Sequence, residues 1–191
     1  MSALFPILDA ALDSAVARSA DWLACRPGCH QCCVGVFPIT ALDAEALNAA
    51  LAAADPALAA RIRQRAADSR SRLATGFPGD ATTGQLFTQP HHEDDFDDFA
   101  NDEPCPVLDP ATGTCDLYAA RPVQCRTFGP PIRDDEDHLT VCELNFVDAP
   151  PLAASIAEMD QSWRPLEDTL ITEAEARTDQ RFPTLIAFAL R

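Results

Sequence analysis

Apolar positions along this chain fall at helical spacing in separated stretches, with polar and turn-forming residues between them. Over residues 6–23, Ile7, Leu8, Ala11, Leu12, Ala15, Val16 and Leu23 recur every three or four places and predict a helix, with Pro6 suited to its first turn. Thr40 reads as the N-cap of a second helix over 41–53, with Asp43 and Glu45 facing the positive end of its dipole. Asp55-Pro56 restarts a helix by the same cap-then-proline logic, running to about residue 74 and stopped by Gly76. Downstream, 150–163 and 166–177 carry helical patterns, and Pro183 opens a short last helix.

Three stretches lack any such period. Residues 25–33 are too dense in cysteine, with Pro27 and Gly28, to form a regular element. Residues 76–104 hold glycines, prolines and an acidic run, and are expected to form a long loop. Residues 105–142 predict short hairpins near 106–114 and 127–142, with one helical turn over Asp116 to Arg121 that Pro122 limits. No internal repeat is present. The expectation is a mainly α single domain over 1–191 with a loop-rich cysteine region and at most short hairpins. The cysteine region spans 22–145 with the acidic loop 76–104, and helices follow over 150–191.

Composition narrows the function classes. Nearly half of the 191 residues are apolar, enough for an ordinary core, so eight cysteines are not needed as substitutes for one. The formal charge is −16, from 30 acidic residues against 14 arginines and no lysine. Such a surface repels phosphate backbones and anionic membranes, so the expectation is no nucleic acid, no membrane, and a basic surface on any protein partner. Met1 to Leu23 has no basic start and is interrupted by Asp9 and Asp13, unlike a signal peptide, and no stretch approaches the length of a membrane span. The expected compartment is the reducing cytoplasm, where clustered cysteines bind metals more often than they form disulfides.

The cysteines form two groups. The first is Cys25-x3-Cys29-x2-Cys32-Cys33; the second is Cys105, Cys115, Cys125 and Cys142, separated by nine, nine and sixteen residues. Thiolate metal sites need sulfurs that converge within a few ångströms; short spacings supply some from one turn, and distant segments bring the rest. Four cysteines within nine positions, beside Arg26, Gly28, His30 and Gln31, do not make an apolar face, and adjacent Cys32 and Cys33 cannot bridge each other without strain. All eight are therefore candidate metal ligands, for an iron–sulfur cluster or for zinc. Cys-x3-Cys-x2-Cys lies closer to iron–sulfur spacing, whereas zinc knuckles favour paired Cys-x2-Cys, which only Cys29 and Cys32 supply. Eight cysteines fit two four-thiolate sites, or one site with spare thiols.

Around the second group, Arg126 follows Cys125 directly and could donate hydrogen bonds to a thiolate or sulfide; the alternative is an arginine paired with a carboxylate. Tyr118 and Arg121 are expected to buttress the turn between Cys115 and Cys125. Together, Cys25-x3-Cys29-x2-Cys32-Cys33, Cys105-Pro106-x-Leu108 and Cys115-x-Leu117-Tyr118-x2-Arg121-Pro122-x2-Cys125-Arg126-x-Phe128 resemble the YkgJ-type cysteine-cluster family. Its members are described as zinc- or iron-chelating domains. The resemblance implies cysteine-based metal binding through Cys25, Cys29, Cys32, Cys33, Cys105, Cys115, Cys125 and Cys142, and implies no settled reaction. A related pattern in the flagellin lysine methylase family implies that such a cluster can accompany modification chemistry. The acidic insertion over 76–104 departs from the family pattern.

Other chemistry is sparse. His91 and His92 beside a run of carboxylates could hold a hard or borderline divalent ion, though such runs are more often solvated loops. His30 could replace a thiolate. Arg61, Arg63, Arg65, Arg70 and Arg72 form a basic stripe, expected to be a solvated face laced to the acidic remainder. There is no phosphate loop, nucleotide-binding glycine fingerprint or nucleophile elbow. Every clear motif serves ligation and none serves a substrate, which favours a metal-binding module with a structural or electron-transfer role over metal storage or delivery and a thiol redox protein; a zinc-binding structural or interaction module and an iron–sulfur-dependent modification enzyme are the alternatives.

Overall fold

The computed structural model describes residues 3–87, 96, 98–134, 136–178 and 180–190. It is mainly helical with short two-stranded hairpins, as the hydrophobic pattern predicts. The chain divides into two compact units, each discontinuous in sequence: residues 1–29 with 123–169, and residues 30–122 with 170–191.

In the first unit the helix Leu4–Ser19 buries Leu4, Phe5, Leu8 and Ala15. It ends four residues before the predicted limit, because Ala20 turns to a positive φ of 48° and Ala20–Trp22 tightens into a single 3-10 turn. Arg126, on the short helix Val123–Thr127, is completely buried; it pairs with Asp9 and lies 4.4 Å from the centre of the Phe5 ring. The expected helix over 150–163 shortens to Ala153–Ile156. Beyond it Met159 donates its backbone N–H to Pro131 (2.7 Å), and the Asp160 carboxylate accepts from Ser162, so Met159 and Trp163 reach the interior from an irregular segment. The predicted downstream hairpin pairs Ile132–Arg133 with Leu139–Thr140, its turn held by Asp134, which accepts from the N–H groups of Glu136 and His138.

The second unit is built on Ala41–Ala53 and Pro56–Leu73, close to the predicted boundaries. Thr40 and Asp43 form a reciprocal capping box, and the Asp55 carboxylate accepts from Ala57 and Leu58. Ile39, Leu47, Leu51, Ile62, Ala66, Val107, Leu117, Ile186 and Leu190 make one core, against which Cys105 and Cys115 pack. The last helix, Ile186–Ala189, sits within it. Arg70 donates to the carbonyls of Ala187 and Leu190, and Asn48 donates to that of Ala189.

The segment 76–104, expected to be loop, contains a hairpin that pairs Gly79–Asp80 with Gln85–Leu86. Phe77 and Leu86 are buried in a second apolar cluster with Leu73, Leu185 and Phe188, and Phe87, Phe96 and Phe99 pack against it. Gly84 has φ of +77°, and a Cβ there would stand 2.5 Å from that of Phe188, so only glycine allows this approach. Phe77, in a stretch without hydrophobic period, is held by ring contact with Phe188 about a hundred residues away. Within the arginine stripe, Arg65 and Arg72 are laced to acidic residues as expected, pairing with Asp116 and Glu103, whereas Arg70 donates to the carbonyls already described. Among the described residues no helix is long and apolar enough to cross a membrane.

Candidate metal-binding sites

The tight cysteine run folds as two consecutive turns. Cys29 donates its N–H to the Arg26 carbonyl (2.9 Å) around Gly28, whose φ is +90°; Cys33 donates to His30 (2.8 Å) around the 3-10 turn Gln31–Cys33. The boundary between the two units falls between these turns, so Cys25 and Cys29 belong to the first unit and Cys32 and Cys33 to the second. The remote group divides likewise: Cys125 and Cys142 in the first, Cys105 and Cys115 in the second. None of the eight, all among the described residues, forms a disulfide.

In the second unit the turn carrying Cys32 and Cys33 is stitched to the segment before Cys105. Cys105 donates its N–H to the Cys33 carbonyl (2.8 Å), Gly35 donates to Glu103 (2.9 Å), and Val34 bridges Pro104. The hairpin Leu108–Asp109 with Thr114–Cys115 brings Cys115 back towards Cys105, as predicted. Two arginines fix this frame. Arg72 grips the Glu103 carboxylate through two nitrogens (3.0 and 2.7 Å), and Arg65 holds both the Pro106 carbonyl (2.8 Å) and Asp116. Beyond the hairpin, Arg121 donates to the Tyr118 carbonyl and lies over its ring at 4.1 Å, the expected buttress.

The thiols here sense one another. The Cys33 thiol, donating a hydrogen bond, lowers Cys32 to about 6; burial opposes it, and the backbone and the charge of His30 assist. Burial pushes Cys105 up to about 12, with the nearby charge of Cys115 adding to it, and burial likewise raises Cys115. The four sulfurs thus occupy one electrostatic neighbourhood with an apolar wall behind it. His30 enters as a charge beside Cys32.

In the first unit Asn145 is the organiser. It is 4% exposed. Its side-chain carbonyl accepts the Ala24 N–H (2.7 Å), its amide donates to Gly129 (2.7 Å) and to Cys25 Sγ (3.5 Å), and its backbone N–H donates to Cys142 (2.8 Å). Gly129 closes the arrangement: it accepts from the Cys142 N–H (3.4 Å), and at φ +123° a Cβ on it would stand 3.0 Å from Cys25 Sγ. Cys125 lies on the short helix Val123–Thr127, which ends two residues before Gly129. Cys142 also lines a cleft of about 460 Å³ walled by Phe128, Gly129, Arg133, Trp163 and Arg164. Arg126, a candidate for hydrogen bonding to a thiolate, pairs with the Asp9 carboxylate. Asn145 was not singled out by sequence; its signal was an asparagine three residues after the last cysteine.

These residues suit soft-metal ligation. Both units gather cysteines from two distant segments, and thiolate sulfur is the donor that zinc and iron–sulfur cores share. Among the described residues no three His, Cys, Asp or Glu side chains already converge as ligands of one ion. Binding therefore requires side-chain rotation and loss of the thiol protons. His91 and His92, with Glu93 to Asp95, lie outside the described residues.

Comparison with curated proteins and with solved structures gives no match. A family model, CxxCxxCC, described as "Putative zinc- or iron-chelating domain", matches residues 24–143, a span that contains all eight cysteines. The first spacing here is one residue longer than the family's label. With well over half its length matched, the chain belongs to this family of zinc- or iron-chelating domains.

Proposed function

We propose that the chain is a cysteine-thiolate metalloprotein that holds iron–sulfur, in a structural or electron-transfer role. The observation that carries metal binding is the neighbourhood of Cys32, Cys33, Cys105 and Cys115 in the second unit. The backbone bond from Cys105 to Cys33 and the mutual influence of the thiols tie it together. Iron–sulfur is supported by the Cys-x3-Cys-x2-Cys spacing and by the apolar core behind Cys105 and Cys115, which limits solvent access to a cluster. Zinc is the second reading, favoured by the way each unit draws two cysteines from each of two segments, as structural zinc sites do. The reducing cytoplasm suits either centre, and the net charge of −16 suits a partner with a basic surface.

Anaerobic purification, followed by elemental analysis and a visible absorption spectrum, tests this. Iron with matching acid-labile sulfide and broad visible absorption is the expected result. Zinc alone overturns the iron–sulfur assignment and leaves thiolate ligation standing; a chain without metal overturns both.

A further inference from the structure

We infer that the eight cysteines form two separate metal centres: Cys25, Cys29, Cys125 and Cys142 in the first unit, and Cys32, Cys33, Cys105 and Cys115 in the second. This rests on the thiolate-ligation reading above and deepens it, since neither the spacing nor the family description says which cysteines act together.

The division follows from the fold. The contiguous run is cut between Cys29 and His30, and the remote group is cut between Cys115 and Cys125, so each unit receives two cysteines from each group. Within the second unit, Cys105 is bonded to Cys33 through the backbone, and the register Leu108–Cys115 folds Cys115 back beside them. Within the first, Cys25 and Cys142 meet on the same two residues. Gly129 accepts from the Cys142 N–H and lies against Cys25 Sγ, while Asn145 touches both cysteines. Cys29 ends the turn that starts beside Cys25, and Cys125 lies on the short helix Val123–Thr127 that leads directly into Gly129. As each sulfur–metal bond forms, a thiol gives up its proton to solvent; no electron transfer is involved.

The two centres differ in surroundings. Cys25 is exposed and Cys142 opens onto the 460 Å³ cleft, whereas Cys105 and Cys115 pack against the core of their unit. A chelator therefore reaches the first centre more readily, and metal leaves in two steps.

The test uses the full metal-loaded chain and two double variants, Cys25→Ser with Cys142→Ser and Cys33→Ser with Cys115→Ser, with circular dichroism to follow folding. Each variant is expected to keep half the wild-type metal. Complete loss from both, or no loss from either, overturns the inference and leaves thiolate ligation intact; a wild-type chain without metal overturns both.

A second measurement needs no variant. The wild-type protein is treated with a limiting chelator, alkylated with N-ethylmaleimide, and mapped by mass spectrometry. Cys25, Cys29, Cys125 and Cys142 are expected to label together and first. Simultaneous labelling of all eight, or a first set that mixes the two groups, overturns the assignment.

Discussion

Replacing Asn145 with alanine tests whether one buried amide holds the first unit's cysteines in place. The substitution strips the partner from the Ala24 N–H (2.7 Å), leaves the Gly129 carbonyl only its longer bond from the Cys142 N–H (3.4 Å) in place of the 2.7 Å one, and removes the amide beside Cys25 Sγ. A buried backbone group left without a partner costs about 1–3 kcal/mol. The two losses share one side chain and are not additive, so the expected cost is about 3 kcal/mol. Both tryptophans of the chain, Trp22 and Trp163, lie in the first unit, so their emission reports on that unit alone. Urea unfolding of the metal-depleted chain, followed by tryptophan fluorescence, should show a midpoint lower by about 1–3 M, given a typical urea dependence of about 1–3 kcal/mol per molar. Asn145→Asp keeps the acceptor for Ala24 and loses the donor for Gly129, so it should fall between wild type and alanine. A midpoint for Asn145→Ala within about 0.3 M of wild type refutes the organising role.

Other predictions follow from the same geometry. Arg72→Ala should destabilise the second unit by about 2 kcal/mol, because Glu103 is nearly buried and loses two charge-assisted bonds. Burial alone would raise the Glu103 carboxyl, but the two bonds and the charge of Arg72 outweigh it and hold the group below the usual carboxylate range. That stabilisation is complete above the unfolded value of about 4.3 and disappears as pH falls through the depressed folded value. The difference between wild type and Arg72→Ala in urea should thus be full at pH 6 and shrink in acid; a gap that persists unchanged would contradict the pairing. Asp9→Ala should cost about 3 kcal/mol by leaving the buried Arg126 guanidinium without its carboxylate, again read by tryptophan emission. Gly129→Ala should lower metal content at the first centre, since its Cβ would press on Cys25 Sγ from a backbone conformation that favours glycine; elemental analysis measures this.

Local physics made much of this fold legible. Thr40 with Asp43 and Asp55 with Pro56 announce helix starts through capping chemistry confined to four residues, and both helices begin where those residues say. The hairpins expected near 106–114 and 127–142 were equally local. What escaped depends on distant contact. The aromatic side chains of 77–99 look like ornaments of an acidic loop until Phe188 meets them. The helical pattern after residue 150 gives way because Met159 finds a partner in Pro131. The cysteines read as candidate ligands, but their distribution over the two units was not legible: sequence proximity joins Cys29 to Cys32, whereas the fold cuts between them. Asn145 escaped because an asparagine carries no ligand signature, and its importance lies in the four groups it bonds.

The burial of Leu185 to Leu190 in the core of the second unit has a consequence for biosynthesis. During translation the residues of the first unit are all available once Thr169 has emerged, but the second unit's core cannot close until Ile186 and Leu190 follow. Cys32, Cys33, Cys105 and Cys115 therefore wait on a nascent chain with an unfinished wall behind them, after the other four can already be enclosed. Order of synthesis thus lets the first unit close before the second, whose core waits on residues 185–190.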